Sequence, residues 1–375
     1  VKYIFKKKRN ILLVGFLDAI GYFLSWIFRP KKRRKKTNPD WNSVLIVRID
    51  HLGDVLSSTA IPKIIKENFS GAKVYFLTSS WAAPLLKHNP FVDEVLIFDA
   101  PWFSRRRYRK SGDSRSFWSL ARFLRKARIE AGVSFRGDFR ESALMWLGAV
   151  RERVGFGVAG GGFFLTREII YRKLGHESEH VLDVLRGIGI KNAKLNPQIY
   201  FSEEEESRFA SKLAEWGIVS GQRYVGFQAE AGTRAKEWPA ERTHEFLKRF
   251  QENFPDCRLV RVGAQPDDVS FAFIDLTGKT SLRDLCLLMR KLDAFVGFDS
   301  GATHLAAAMG VPTVFLYSGT NRFEQWRPLS PEAVVIRHPV PCSPCHLEVC
   351  NVPGHPCMSQ IAPDEVIKAL EGVLK

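Results

Sequence analysis

The sequence predicts an α/β protein built as two similar domains facing a cleft, and three observations predict it. Short runs rich in branched apolar residues, such as Val44–Val47, alternate with helical runs, the pattern of a parallel sheet covered by helices. A second set of strand–helix units starts after the acidic stretch Ser202–Trp216. In both sets a glycine-bearing loop follows a buried strand, where parallel sheets bind their ligands. A length of 375 residues suits two domains. A hydrophobic fraction of 45% with 26% charged residues excludes global disorder and a collagen-like repeat. Only one stretch is apolar enough to enter a membrane, which excludes a multi-span transporter.

The chain opens basic, apolar, basic: Lys6–Arg9, then Ile11–Phe28, then Arg29 and Lys31–Lys36. Residues 1–36 hold twelve Lys or Arg against one acid, Asp18, and so carry most of the net charge of +16. A lipid partner explains a basic excess beside an apolar run more simply than nucleic acid does. No zinc-finger, RNP or helix-turn-helix signature is present, so no nucleic acid is expected. Ile11–Phe28 would reach about 27 Å as a helix, near the lower limit for a span. Gly15, Asp18, Tyr22 and Ser25 form a weakly polar stripe at helical spacing. The expectation is a helix or short re-entrant hairpin lying in a membrane face. A single span, or a buried helix or poorly ordered tail, are the other readings.

The first domain is expected over residues 43–205. Strands are predicted at Val44–Val47, Lys73–Leu77, Val95–Phe98, Ala131–Phe135 and from Arg151, with helices over Val55–Asn68 and Phe139–Gly148. Arg48–Asp54 lies just past the first strand. There Gly53 allows close approach or a tight turn, and Asp54 is either a base or a helix cap. Residues 105–128 hold ten basic side chains and one acid. Arg105, Arg106 and Arg107 in that run are candidate acceptor contacts, or part of a solvated loop and basic helix face. Gly155–Gly162 lacks the dinucleotide order and reads as a mobile loop at the cleft edge.

The second domain is expected over residues 220–360, followed by a C-terminal helix at 361–375. Ser202 and Glu205 form a capping box for the helix that precedes it. Strands are predicted at Tyr224–Phe227, Arg258–Val262, Ala294–Val296 and Pro312–Tyr317, and helices at Glu241–Phe250, Leu282–Arg290 and Leu305–Met309. Asp299-Ser300-Gly301-Ala302-Thr303-His304 is the sharpest site: a buried strand, a turn with glycine, then a helix whose first N–H groups suit a diphosphate. A plain strand–turn–helix cap is the bland alternative. Arg234 and Lys236 lie beyond another strand end, to neutralise a leaving diphosphate or as a solvated basic loop. Ser318-Gly319-Thr320 ends the last strand. Cys342, Cys345, Cys350 and Cys357 allow three readings: a structural metal such as zinc, reduced or partly bonded structural cysteines, or a redox function.

Arg48-x-Asp-x-x-Gly-Asp54, Lys236-x-Trp-Pro239, Thr277-Gly-Lys-Thr-Ser-Leu282 and Asp299-Ser-Gly-x-x-His-Leu-Ala-Ala-Ala308 resemble bacterial glycosyltransferase family 9, the ADP-heptose:lipopolysaccharide heptosyltransferases. The resemblance covers about residues 43–371. It implies the GT-B arrangement of two Rossmann-like domains, here with an N-terminal membrane-associated helix. It also implies inverting transfer of heptose to the inner core of lipopolysaccharide. Asp54 would be the general base, with Arg48 and Gly53 near the acceptor. Lys236 would contact the donor diphosphate, Asp299 the sugar hydroxyls, and Ser300 and Gly301 the phosphate oxygens, with Ala302 and Thr303 beside them and His304 shaping the pocket. Arg234 and Ser318–Thr320 would be donor-loop candidates. The donor would be ADP-heptose or a related nucleotide sugar, with no required cofactor. The acceptor would be a lipid A/Kdo-type precursor. The protein would be a monomer, peripheral or monotopic on the cytoplasmic side of the bacterial inner membrane. The Asp54 turn would face the Asp299–Gly301 turn across one gap. Ala302 stands where the family usually has proline, and Glu230 lies in a loop usually small and neutral. Two alternatives are a transferase using another nucleotide sugar for a surface polysaccharide, and a catalytically silent membrane-bound scaffold. The missing dinucleotide fingerprint argues against a dehydrogenase.

Overall fold

The computed structural model describes residue 3 and residues 8–27, 40–103, 114–172, 174–228, 230–264 and 274–374. The chain divides into two compact units, Val1–Pro197 and Gln198–Lys375. Arg105, Arg106 and Arg107 lie outside the described residues.

The first unit begins with helix α1 (Lys8–Ile27) and carries one parallel sheet. Its strands are β1 (Ser43–Val47), β2 (Lys73–Thr78), β3 (Glu94–Ile97), β4 (Ala131–Ser134), β5 (Glu152–Phe156) and β6 (Arg167–Ile169), in the order β3-β2-β1-β4-β5-β6. Val44 sits opposite Val74 on one side and Ala131 on the other. The chain builds outward from β1, then restarts at β4 on its other flank. The loops after β1 and β4 therefore part in opposite directions and leave a crevice. Helices α2 (Leu52–Ser58), α3 (Ile61–Asn68), α4 (Phe117–Ala127) and α5 (Phe139–Leu147) connect the strands, and α6 (Glu177–Gly187) follows β6. Leu120, Leu124, Leu144 and Met145 of α4 and α5 close over Leu45, Val47 and Leu77 as one core.

The expected single helix Val55–Asn68 is two helices. It starts earlier, at Leu52, and breaks at Thr59–Ala60, because Pro62 has no N–H to donate to the Ser58 carbonyl. Gly155–Gly162 is a helix seat, not an open loop edge. Gly161 N–H donates to Asp18 Oδ1 at 2.8 Å, and Asp18 is buried on the half-buried side of α1. Tyr3 donates to the other Asp18 oxygen at 2.9 Å, and Tyr22 to Glu168. A Cβ on Gly160, which has φ of +89°, would lie 2.6 Å from Val14. Only glycine permits that backbone and that approach. The polar stripe of α1 thus faces the domain.

The second unit repeats the plan. Strands β7 (Arg223–Gln228), β8 (Cys257–Val262), β9 (Ile274–Asp275), β10 (Ala294–Phe298), β11 (Thr313–Leu316) and β12 (Ala333–Ile336) form a parallel sheet ordered β12-β11-β10-β7-β8-β9, the same path as the first. Helix α7 (Glu203–Glu215) carries the expected capping box at Ser202 and Glu205. It lies wholly in this unit, tied to α9 (Leu282–Met289) by Lys212–Asp284 and Arg283–Glu205 pairs of 2.7 and 2.6 Å, so the division falls before residue 205. Helices α8 (Ala240–Asn253), α10 (Gly301–Ala308), α11 (Phe323–Trp326), α12 (Pro356–Ser359) and α13 (Pro363–Val373) complete it. Val366, Ile367 and Leu370 of α13 pack with Phe246 and Phe250 of α8 in the main core, so the last helix is part of this unit.

Candidate active site

In the first unit the functional side chains gather beyond β1 and β4. Arg48 leaves the end of β1 with its side chain fully buried. Its Nη2 donates to Asp54 Oδ1 at 2.7 Å, and Nη1 lies 3.6 Å from Asp50 Oδ2. Among the described residues Nη1 has no hydrogen-bond partner. Arg48 is therefore a buried brace for Asp54. Asp54 lies inside the first turn of α2, whose cap position is His51, so the capping alternative falls. Gly53 is not among the residues with positive φ and continues the helix without a tight turn. Burial, then the neighbouring Asp50 charge, push the Asp54 carboxyl well above the usual range, while Arg48 opposes them.

Five residues here were missed by sequence reasoning. Glu141 on α5 is buried, accepts a hydrogen bond from Ser134 Oγ at the end of β4, and is pushed by burial up to about 8. Arg136 donates to the Ile49 carbonyl at 3.3 Å and lies 4.0 Å over the Phe103 ring. Glu177 adds negative charge near Arg48 and Asp54, and pairs with the buried His180 at 3.1 Å. The usable signal was position: residues 134–141 follow the strand that pairs with β1.

In the second unit the side chains gather beyond β7 and β10. Asp299 follows β10 and is almost wholly buried. Lys236 Nζ donates to Asp299 Oδ2 at 2.6 Å and to its carbonyl at 3.1 Å. An ammonium has three N–H donors, so one remains to offer an anion. Asn321 Nδ2 donates to the same carboxylate at 3.0 Å, and His304 Nε2 lies 3.3 Å from Oδ1. Burial works against ionisation of Asp299, but the His304 hydrogen bond and the Lys236 charge hold its carboxyl well below the usual range. His304 also packs edge-on against Phe315 of β11. Ser300, the α10 cap residue, donates to Gln228 across the β7–β10 crevice, and Thr303 Oγ1 donates to the Phe298 carbonyl. Gly301 and Ala302 open α10, whose first N–H groups have no intrahelical acceptor. Gln228 and Asn321 are further residues that motif reading passed over.

Other expected residues fall elsewhere. Arg234 is exposed and lines a shallow groove with Trp238, Arg242, Val349 and His355, apart from Asp299. Ser318 and Thr320 are buried with their hydroxyls 2.8 Å apart. The carbonyls of Gly319 and Thr320 accept from Cys345 N–H and His346 N–H, so this loop seats the cysteine segment. Glu230 accepts a hydrogen bond from the Ala264 N–H. Cys342, Cys345, Cys350 and Cys357 line one small pocket and are free thiols. Cys357 packs in the apolar core, where burial raises its thiol. Among the described residues no group of three or more His, Cys, Asp or Glu side chains is arranged to hold a metal, so the zinc reading is unsupported.

The arrangement separates two chemical jobs. One crevice holds a carboxyl with raised proton affinity, suited to take a proton. The other holds a cation, a carboxylate and a helix N-terminus, suited to a phosphorylated polar ligand. Known proteins agree. The chain is 22% identical over 342 residues to lipooligosaccharide heptosyltransferase 2 of Campylobacter jejuni, covering 86% of this chain and 96% of that protein. Its fold is similar to the crystal structure of the glycosyl transferase family 9 from Veillonella parvula, with a TM-score of 0.74, 21% identity, and 91% and 99% of the two chains covered. It is also similar to E. coli ADP-heptose lps heptosyltransferase II, with a TM-score of 0.68, 20% identity, and 88% and 98% covered. The description of glycosyltransferase family 9 (heptosyltransferase) matches residues 117–355, more than half of the sequence. The chain belongs to that family and is a glycosyltransferase of the heptosyltransferase type with the two-domain Rossmann-like fold.

Proposed function

We propose that this transferase moves a heptose from ADP-heptose to the inner core of a lipid A/Kdo-type precursor, with inversion. The acceptor hydroxyl oxygen bonds to the anomeric carbon as the bond from that carbon to the diphosphate oxygen breaks. ADP leaves with the electron pair, and the hydroxyl proton passes to Asp54. Arg48 holds the Asp54 carboxylate in line. Lys236 and the first N–H groups of α10 receive the charge growing on the diphosphate. Asp299, fixed by Lys236, His304 and Asn321, accepts hydrogen bonds from donor-sugar hydroxyls. One observation carries the reading: a buried carboxyl of raised proton affinity lies at the ends of β1 and β4, and a lysine-braced carboxylate beside a helix start lies at the ends of β7 and β10. Similarity to a lipooligosaccharide heptosyltransferase 2 and to an ADP-heptose lps heptosyltransferase II supports the donor and acceptor classes.

The protein works at the cytoplasmic face of an inner membrane, held there by α1. Asp18, docked on Gly161, favours a helix lying in the interface over one that spans. The test is Asp54→Asn assayed for ADP release with ADP-heptose and a lipid A–based acceptor. Transfer should fall at least about a hundredfold while donor affinity stays within about twofold. Full transfer by the variant removes Asp54 as base. A screen in which another nucleotide sugar is the preferred donor replaces the heptose assignment.

A further inference from the structure

Helix α1 is not the only apolar surface the first unit leaves uncovered. Phe139 and Trp146 are seven positions apart on α5 and so share one face two turns apart; they are 47% and 51% exposed. Both adjoin the seat of α1. A Cβ on Gly161 would meet the Phe139 Cβ at 2.7 Å, and the same glycine donates to Asp18 of α1. From Trp146 the rings run on without a break. Trp146 meets Phe164 at 5.2 Å between centroids, Phe164 meets Phe163 at 4.2 Å, and Phe163 meets Tyr22 of α1 at 6.0 Å. Beyond that chain α1 turns Phe16 and Trp26 outward, 65% and 74% exposed. A soluble monomer seldom leaves so large an aromatic surface to water.

Cations border this surface. Arg125 is exposed and donates to the Leu147 carbonyl at 2.8 Å, at the end of α5 one residue past Trp146. The Arg140 guanidinium lies 4.4 Å over the Trp102 ring and 5.3 Å from the Phe139 ring, and pairs with Asp138. Arg9 is exposed at the start of α1. Glu168, exposed and bonded to Tyr22, and Asp138 are acids at this border. Half-exposed aromatic rings with basic side chains around them match the boundary between acyl chains and anionic headgroups.

We infer that the membrane-binding surface of this protein is a composite plate. It consists of the outer face of α1, the Phe163–Phe164 turn and the Phe139–Trp146 face of α5, and it fits an anionic lipid bilayer. The inference rests on the membrane reading above and extends it from one helix to the catalytic domain itself. The domain is thereby oriented by contacts at two places, since a single helix in the interface would leave it free to roll.

The test uses the full chain and vesicles of phosphatidylethanolamine with phosphatidylglycerol. Flotation is compared for the wild type, the α5 variant Phe139→Ser/Trp146→Ser and the α1 variant Phe16→Ser/Trp26→Ser, with far-UV circular dichroism as the check on folding. The α5 variant should partition about tenfold less than the wild type with α1 intact, and added salt should weaken the wild type. A photoreactive benzoylphenylalanine at position 146 should cross-link to lipid, and one at the exposed Val219 should not. Wild-type partitioning by the α5 variant, or no lipid adduct at 146, overturns the composite plate. If the α1 variant alone loses binding in that experiment, the membrane reading survives without it. A wild-type chain that floats with no vesicle removes both.

Discussion

Replacing Arg48 by methionine takes the cation out of the Asp54 pair while keeping the buried slot filled. Arg48 Nη2 and Asp54 Oδ1 are 2.7 Å apart, with side chains 0% and 8% exposed, so water screens them little. Two unit charges about 4 Å apart attract by about 4 kcal/mol at an effective dielectric of about 20. That is worth about three pKa units. Arg136 still acts on Asp54 in the variant, so a rise of about one to three units is expected. The base works only when deprotonated, so the acid limb of kcat/KM moves to higher pH by that amount. Below the limb the rate falls about tenfold per pH unit and is regained in alkali. Stability moves in a linked way. A carboxyl raised on folding contributes stability that is present below its unfolded value and lost as pH rises through its folded value. The variant should lose stability over a wider span above the usual carboxylate range. ADP release measured from pH 5 to about 10, the span on which carboxyls and their raised counterparts titrate, reads the limb directly. Arg48→Lys, which keeps the charge, should return most of it. A limb in Arg48→Met that coincides with the wild type refutes the brace.

Three other outcomes follow from the same structure. Glu141→Gln should remove the loss of stability that the wild type shows as pH rises through about 8, read by urea unfolding at pH 6 and 9, with little change at the lower pH. Lys236→Met should weaken ADP binding about ten- to a hundredfold by calorimetry, because it removes a charged donor beside a buried carboxylate; unchanged affinity would take Lys236 out of the donor site. Asp18→Leu leaves the Gly161 amide without its acceptor, which costs about 1–3 kcal/mol, and should speed hydrogen exchange at Gly161 while β1 stays protected.

Strands β1 and β10 were legible because each is a short, fully buried run with a turn behind it, and a parallel sheet demands that pattern. Asp54 and Asp299 were legible for the same reason, as polar residues beside glycine just past those runs. The Ser202 cap was legible because its partner Glu205 is three residues away. What escaped depends on long-range pairing. Glu141 reaches the Asp54 cluster only because β4 pairs with β1, and Asn321 reaches Asp299 from the next strand's loop. Asp18 and Gly161 are 143 positions apart, so the sequence shows Asp18 as part of a polar stripe but not the bond that docks it. The edge strands β6, β9 and β12 are short and half-exposed, which leaves them little hydrophobic signal. The division of Leu52–Asn68 turned on one missing N–H at Pro62, and helical periodicity does not register that.

The two sheets follow one strand path, and that duplication has a consequence for how such enzymes diversify. The hydrogen-bonded ladders of β1 with β4 and of β7 with β10 make no use of the side chains that project from the loops behind them. On the proposed division of labour, mutations in one pair of loops would alter the choice of glycosyl recipient without touching the ladder, and mutations in the other pair would alter the activated sugar. Each preference is free to drift on its own scaffold, so a new product needs change in only one half of the chain.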